Sequence, residues 1–487
     1  MSLFRRKKIT SEGIAAGKGK TGLARTLGAF DLIALGIGAI IGTGIFVLTG
    51  VAAARYAGPG VTLSFVISGL AATFAALVYA EFASMVPSAG SAYTYAYASL
   101  GEIVAWLIGW NLILEYLVAA GAVAIGWGSY FTDLLRSIGI TLPPALTRSL
   151  VEGGILNLPA LLITVFITIL AIRGTRESAW VNRIVVAMKI GVILLFLVLA
   201  FGKVNPANWH PFLPFGFAGA MRGAAIIFFA YIGFDAVATA AEEVRNPQRT
   251  LPRGIIGSLL ISTILYILVA LALTGVLPYP RLNTPSPVST ALLATGFRFA
   301  SAVVAVGALA GLTSVLLVNT YAQSRIFYAM ARDGLLPKTF AVLHPRYRTP
   351  YINNLIIGGI IAALSSLLPI RTIAELANIG TLSAFVVVSA GVLILRRTAP
   401  DLPRPFRTPL MPWTPLLAIA FSLYLILYLP RLTLIRFAVW VALGLVVYFA
   451  YSRRHSLLAE PLPAAKKPVP AGYLAFLGRF TKKKKRP

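Results

Sequence analysis

Apolar stretches of about 20 residues, the length an α-helix needs to cross a bilayer, recur from one end of the chain to the other. They predict twelve helical spans, at roughly 28–54, 61–86, 102–134, 156–173, 180–202, 219–242, 254–277, 300–330, 352–369, 376–396, 414–430 and 434–451. Breakers such as Gly58-Pro59-Gly60, Pro143-Pro144 and Pro278-Tyr279-Pro280 separate them. Two spans are interrupted. The first carries four glycines, in Gly36-Ile37-Gly38-Ala39-Ile40-Ile41-Gly42-Thr43-Gly44, which is poor material for a continuous helix. The sixth reads Phe229-Ala230-Tyr231-Ile232-Gly233-Phe234-Asp235, with a carboxylate near its middle. These two spans open two five-helix sets, 1–5 and 6–10. Interrupted segments at matching places in two halves point to a transporter binding site. Close packing of small residues, as with Gly38 and Gly42, accounts for the same glycines without a ligand.

Composition narrows the class. Of 487 residues, 58% are hydrophobic and only 12% charged, against about a quarter charged in soluble domains. That leaves too little polar surface to cover a soluble core, so the fold class is an all-α polytopic membrane protein. There is no cysteine, which excludes disulfides and thiol chemistry. His210, His344 and His455 lie far apart and outside the spans, so no metal site is expected.

The net charge of +28 does not indicate nucleic acid, because the basic residues interleave with the spans. With the N-terminus inside, the inner segments hold 32 of the 43 Lys and Arg residues and the outer loops 10, with Lys189 inside a span. This bias puts both termini in the cytoplasm and the protein in the cell (inner) membrane. No cleavable leader follows Phe4-Arg5-Arg6-Lys7-Lys8. The chain divides into a basic N-tail (1–27), a first repeat (28–202), a second repeat (219–396), two further spans (414–451) and a basic C-tail (452–487). The C-tail ends Lys482-Lys483-Lys484-Lys485-Arg486. A solvated tail is one expectation, and an interfacial segment on anionic membrane lipids is the other.

The interruptions suit a zwitterion. Unwinding at Gly42-Thr43-Gly44 exposes N–H groups at the start of a half-helix, where a carboxylate is favoured. Carbonyls at half-helix ends suit an ammonium. Three charges lie deep in spans: Glu115, Lys189 and Asp235. A mid-bilayer charge is costly without water or a partner, so each is a candidate functional residue. A buried lysine can lose its proton near neutral pH, which makes Lys189 a candidate titratable stand-in for a metal cation. A structural pair with Glu115 or Asp235 is the alternative. Glu81, Glu242 and Glu243, at span ends, are expected to cap or pair at the cytoplasmic interface. Gly36-x-Gly38-x-x-Ile41 lacks the third glycine of a dinucleotide fingerprint, and Gly19-Lys20-Thr21 lacks the upstream glycine of a phosphate loop. No hydrolase motif occurs, so neither enzyme chemistry nor a cofactor is expected.

Gly-Ile-Gly-Ala-Ile-Ile-Gly-Thr-Gly-Ile-Phe at 36–46 resembles the first-helix signature of the amino acid–polyamine–organocation superfamily. Phe229 to Asp235, Ala241 to Arg249, and Val86 to Tyr95 are similar to the cationic amino acid transporter branch. The resemblance runs from about residue 23 to residue 451. It implies a LeuT-type fold of two inverted five-helix repeats plus two C-terminal helices. It implies that the substrate carboxylate meets Thr43 and Gly44, with Ile40 and Gly42 nearby. The amine would meet carbonyls of Phe229, Ala230 and Ile232. Lys189 matches the fifth-helix lysine that replaces a sodium ion in proton-coupled relatives, and Glu115 matches a third-helix acid facing the pocket. Twelve spans rather than fourteen, and no cysteine, suggest a bacterial type, whose relatives often take neutral amino acids.

The expected activity is amino acid import by alternating access, coupled to protons. A sodium-independent exchanger of cationic amino acids or polyamines is the alternative, and a channel or membrane sensor a more distant one. On this reading Gly44→Val abolishes binding in a folded protein, and Glu115→Gln weakens binding of cationic more than neutral amino acids.

Overall fold

The computed structural model describes residue 5 and residues 27–86, 91–174, 179–241, 244–347 and 349–457. Residues 6–26, 87–90 and 458–487, with Glu242 and Glu243, lie outside the described residues, so the expectations placed on them are not addressed below. The described chain is helical, and its isolated bridge joins Leu27 to Val244. Among the described residues, eight helical stretches are long and apolar enough to cross a membrane, and four shorter apolar helices accompany them.

Helix α1 spans Ala29–Ile40. It begins where Asp31 accepts the Gly28 amide at 2.9 Å, and Arg183 donates to the same carboxylate at 2.7 Å. The chain then breaks and resumes as π, α and π turns over Gly44–Leu48, Thr49–Ala52 and Ala53–Ala57. Next come α2 (Val61–Met85), the short α3 (Ser91–Ser99), α4 (Glu102–Ser137), α5 (Leu158–Arg173) and α6 (Ala179–Phe201). Asn157 caps α5 by accepting from the Ala160 amide at 3.2 Å, and Gly174, at φ 71°, ends it. The second half runs α7 (Gly216–Ile227), a 3-10 turn (Phe228–Tyr231), α8 (Ala236–Thr239), α9 (Pro247–Val276), α10 (Pro287–Ala294), α11 (Arg298–Arg332), α12 (Tyr351–Leu367) and α13 (Ile370–Thr398). Helices α14 (Trp413–Leu427) and α15 (Arg431–Val447) follow.

The observed edges lie close to the predicted spans, except at two helix starts. Helix α13 begins at Ile370 rather than near 376. Helix α9 starts at Pro247 rather than near 254. Its first proline falls in the opening turn, where no amide donor is needed. The turn-like Asn-Pro pair had hidden that start.

Two groups emerge from the packing. In one, α9 lies against α1 and α2, and α2 against α7; α4, α5, α11 and α12 form a second set. Helix α6 packs on α1, α9 and α11, across both groups. Small residues permit the close approaches. A Cβ on Gly36 would sit 2.3 Å from the Ser258 hydroxyl of α9, and one on Gly358 would sit 2.1 Å from the Thr168 hydroxyl of α5. Helix α15 is held to α4 by indoles. Trp106 donates to the Gly444 carbonyl and Trp110 to that of Trp440, each at 2.8 Å, while Trp440 donates back to the Trp110 carbonyl at 3.2 Å.

Candidate functional site

The two interruptions meet at the centre of the molecule. In the first, Ile41 turns to extended backbone at φ −74° and ψ 99°. The earliest backbone bond of the second half runs from the Phe46 amide to the Gly42 carbonyl at 3.3 Å. The amides of Thr43 and Gly44 thus stand at a helix start, where the ladder offers no acceptor. In the second, the 3-10 turn ends at Ile232 in extended conformation, and Gly233 adopts φ 115°. Gly233 lies 3.0 Å (from an ideal Cβ) from the Ala39 backbone, so one break rests on the other.

Between them is a cavity of about 20 Å³, lined by Ala39, Ile40, Gly42, Thr43, Gly44, Ala119, Val123, Phe229, Ile232, Val315 and Asn319. It has room for a water or two, so an amino acid would enter only if the surrounding helices parted. Six of the nine residues expected at a substrate site line it: Ile40, Gly42, Thr43, Gly44, Phe229 and Ile232. The Thr43 hydroxyl is buried there without a hydrogen-bond partner. An unsatisfied buried hydroxyl on a cavity wall is a group that a ligand can satisfy.

The other three lie off the wall. Ala230 backs onto Gly44, whose Cβ would fall 2.3 Å from the Ala230 Cα. This contact corrects the expectation for Gly44→Val. Any side chain at Gly44 drives into backbone, so the substitution perturbs packing and does not report binding alone. Asp235 accepts from the Tyr116 hydroxyl at 2.9 Å. Glu115, one turn before Ala119 on α4, faces α13, with its Cβ 3.7 Å from the Cβ position of Gly380. Its carboxylate has no hydrogen-bond partner. The Thr381 hydroxyl beside it donates instead to the Ala377 carbonyl at 3.1 Å.

Lys189 is wholly buried, and its ammonium donates to the carbonyls of Gly38 at 2.6 Å and Ile41 at 3.1 Å. Those carbonyls belong to the end of α1 and the break itself. Its methylenes run over Gly311 of α11, where a Cβ would come within 2.8 Å of Cε. The lysine therefore joins α6, the first break and α11. The second break has other donors. Asn378 of α13 gives its amide to the carbonyls of Ala225 at 2.7 Å and Ile226 at 3.0 Å. The Tyr266 hydroxyl of α9 reaches the Ala230 carbonyl at 2.9 Å and the Ile40 carbonyl at 2.8 Å. Glu81 accepts two bonds from Arg396, at 2.9 and 2.7 Å, and one from the Thr408 amide at 2.8 Å, which ties α2 to the end of α13.

Sequence reasoning missed Ala39, Ala119, Val123, Val315 and Asn319 on the wall, and Tyr266 and Asn378 behind it. The four small or apolar positions carry no signal inside apolar helices. Asn319 and Asn378 did carry one, as amides within otherwise apolar spans. Among the described residues no cluster of metal-ligating side chains occurs.

These features define a helical membrane protein organised around two paired helix breaks. The profile of the amino acid permease family matches residues 27–451, and the chain belongs to that family, within the amino acid–polyamine–organocation superfamily. It is 52% identical to the branched-chain amino acid permease BcaP of Bacillus subtilis (strain 168), over 94% of this chain and 99% of that one. It is 48% identical to the methylthioribose transporter of the same organism, over 94% and 99%. A vacuolar cationic amino acid transporter 4 of Arabidopsis thaliana is 40% identical over 82% of this chain and 68% of its own length. These relatives are named permeases and transporters rather than enzymes.

Proposed function

We propose that the protein imports a neutral amino acid across the cell membrane by alternating access, with Lys189 carrying the coupling proton. The observation that carries this reading is the Lys189 ammonium on the Gly38 and Ile41 carbonyls, beside a cavity formed by both breaks. A charged donor there does what a bound cation would do: it holds carbonyls of a broken helix against α6 and α11. When protonated, the lysine favours the closed first break. Loss of its proton towards the cytoplasm frees those carbonyls and lets the inner half move. The two packing groups support a twelve-span, LeuT-type arrangement with inverted repeats, in which one group rocks against the other. The basic segments support cytoplasmic termini.

The substrate carboxylate sits on the Thr43 and Gly44 amides, and the amine on carbonyls of the second break. The side chain then meets Ala119, Val123, Ile232 and Val315, an apolar surface suited to small or branched aliphatic groups. Glu115 lies off that surface, which favours neutral over cationic cargo. The name of the 48% identical relative makes methylthioribose the competing cargo. A competition screen on purified protein, covering the common amino acids, polyamines and methylthioribose, tests this. Aliphatic neutral amino acids should compete best. Stronger competition by arginine or a polyamine would favour the exchanger, and by methylthioribose would displace the amino acid reading.

A further inference from the structure

Beyond α15 the described chain does not leave the protein. It winds through a π turn (Tyr448–Ser452) and a last turn (Arg453–His455), and reaches Leu457 across the face where α3, the start of α4 and the end of α11 meet. Glu102 is the organising group. It is the first residue of α4, where a helix start favours negative charge, and it is buried. Its carboxylate accepts three hydroxyl bonds, from Tyr97 of α3 at 3.1 Å, Tyr448 at 3.0 Å and Ser456 at 2.6 Å.

A second set of bonds lies alongside. Ser452 donates to the Leu335 carbonyl at 2.7 Å and the Leu457 amide to the Asp333 carbonyl at 3.1 Å. Tyr93 of α3 donates to the Asp333 carboxylate at 2.8 Å. Gly334, at φ 79°, leaves room for the His455 carbonyl, which would lie 2.2 Å from a Cβ there. Burial pushes the Tyr93 and Tyr97 phenols well above their usual range, so both remain donors.

Helix α3 also packs against α8, the inner half of the second break. If α8 must swing away to release substrate on this face, α3 has to yield. It is tied twice, once through Glu102 and once through Asp333, and residues 448–457 bond to both places. We infer that this C-terminal segment is a strap that restrains inward opening by holding α3 over α8. The idea rests on the alternating-access reading above, and it assigns a regulatory role to a stretch outside the substrate site.

The chain has no cysteine, so a single reporter is clean. Ala240→Cys, buried just past α8, is introduced into the full chain in membrane vesicles. A membrane-impermeant maleimide is applied to each face in turn. Adding Tyr448→Phe and Ser456→Ala removes two of the three hydroxyl bonds to Glu102. Labelling should then accelerate about fivefold or more, the shift expected when two hydrogen bonds to a charged group no longer oppose opening. Ser456→Ala alone should give a smaller acceleration and guards against misfolding of the double variant. Labelling rates equal to the parent's, with a lowered melting temperature, would make the segment merely structural and overturn the proposal. The strap is judged on the ratio of variant to parent rate. Which face labels judges the orientation separately.

Discussion

The two helix breaks are alike in form and differ in what satisfies them. Each leaves carbonyls at the end of a half-helix, and each lies against the same cavity. The first break is served by the Lys189 ammonium, on Gly38 and Ile41. The second is served by the Asn378 amide, on Ala225 and Ile226. An amide keeps its hydrogens at any physiological pH, whereas an ammonium can give one up. On the proposed function, the second break persists and the first is the one that is switched. The Tyr266 hydroxyl touches both, at Ile40 and Ala230. It carries one hydrogen for two acceptors, so it cannot fully satisfy both at once.

Substitutions can set the breaks against each other. The largest effect is expected where they touch. Gly44→Val drives a branched side chain into the Ala230 backbone, and most of the protein should fail to reach the membrane fold, read as loss of the monodisperse peak in detergent. Gly42→Ala is the control on the same break. Its Cβ meets Val315 at an ordinary 3.5 Å, so the fold should survive while the cavity shrinks by a methyl group. Recovery of well-folded Gly44→Val would show that the packing between the breaks is looser than described.

Asn378→Ala should come next. It strips the donor from two buried carbonyls, at about 1–3 kcal/mol for a group left unsatisfied, and should lower the melting temperature clearly. Proton dependence of whatever uptake remains should persist, because the titratable break is untouched. Loss of that dependence would put coupling in the second break. Thr43→Val is the mildest change. It keeps the shape and removes the unpartnered hydroxyl, so stability should hold or rise slightly while ligand binding weakens about fivefold, as for one hydrogen bond of ~1 kcal/mol. Unchanged affinity would remove the Thr43 hydroxyl from the site.

Much of this was legible in the sequence, for physical reasons. Glycine spacing marks a helix that cannot run straight, and a lysine in a 20-residue apolar stretch stands out because the membrane penalises it. The breaks fell near Gly42 and Gly233 as those signals indicated, and Lys189 lies against the first. The cavity wall was not legible. Ala119, Val123 and Val315 look like any small or branched residue in an apolar helix, and only three-dimensional packing selects them. The depth of Glu115 was legible, but its direction was not. A residue's height in a span follows from sequence position, whereas its azimuth depends on which neighbour α4 faces, here α13 at Gly380. The strap was hidden for a related reason: Tyr448, Ser452 and Ser456 are ordinary residues near a helix end, and Glu102 is separated from them by most of the chain.

The central claim is that the first break carries the proton. Reconstituted protein in liposomes, with an inward proton gradient and no sodium, should accumulate a competing neutral amino acid above its external concentration. Adding sodium should change nothing. Lys189→Ala, shown to be folded by its melting curve, should lose accumulation entirely while the Asn378→Ala protein retains it. Accumulation by folded Lys189→Ala, or a strict sodium requirement in the unaltered protein, would contradict the account.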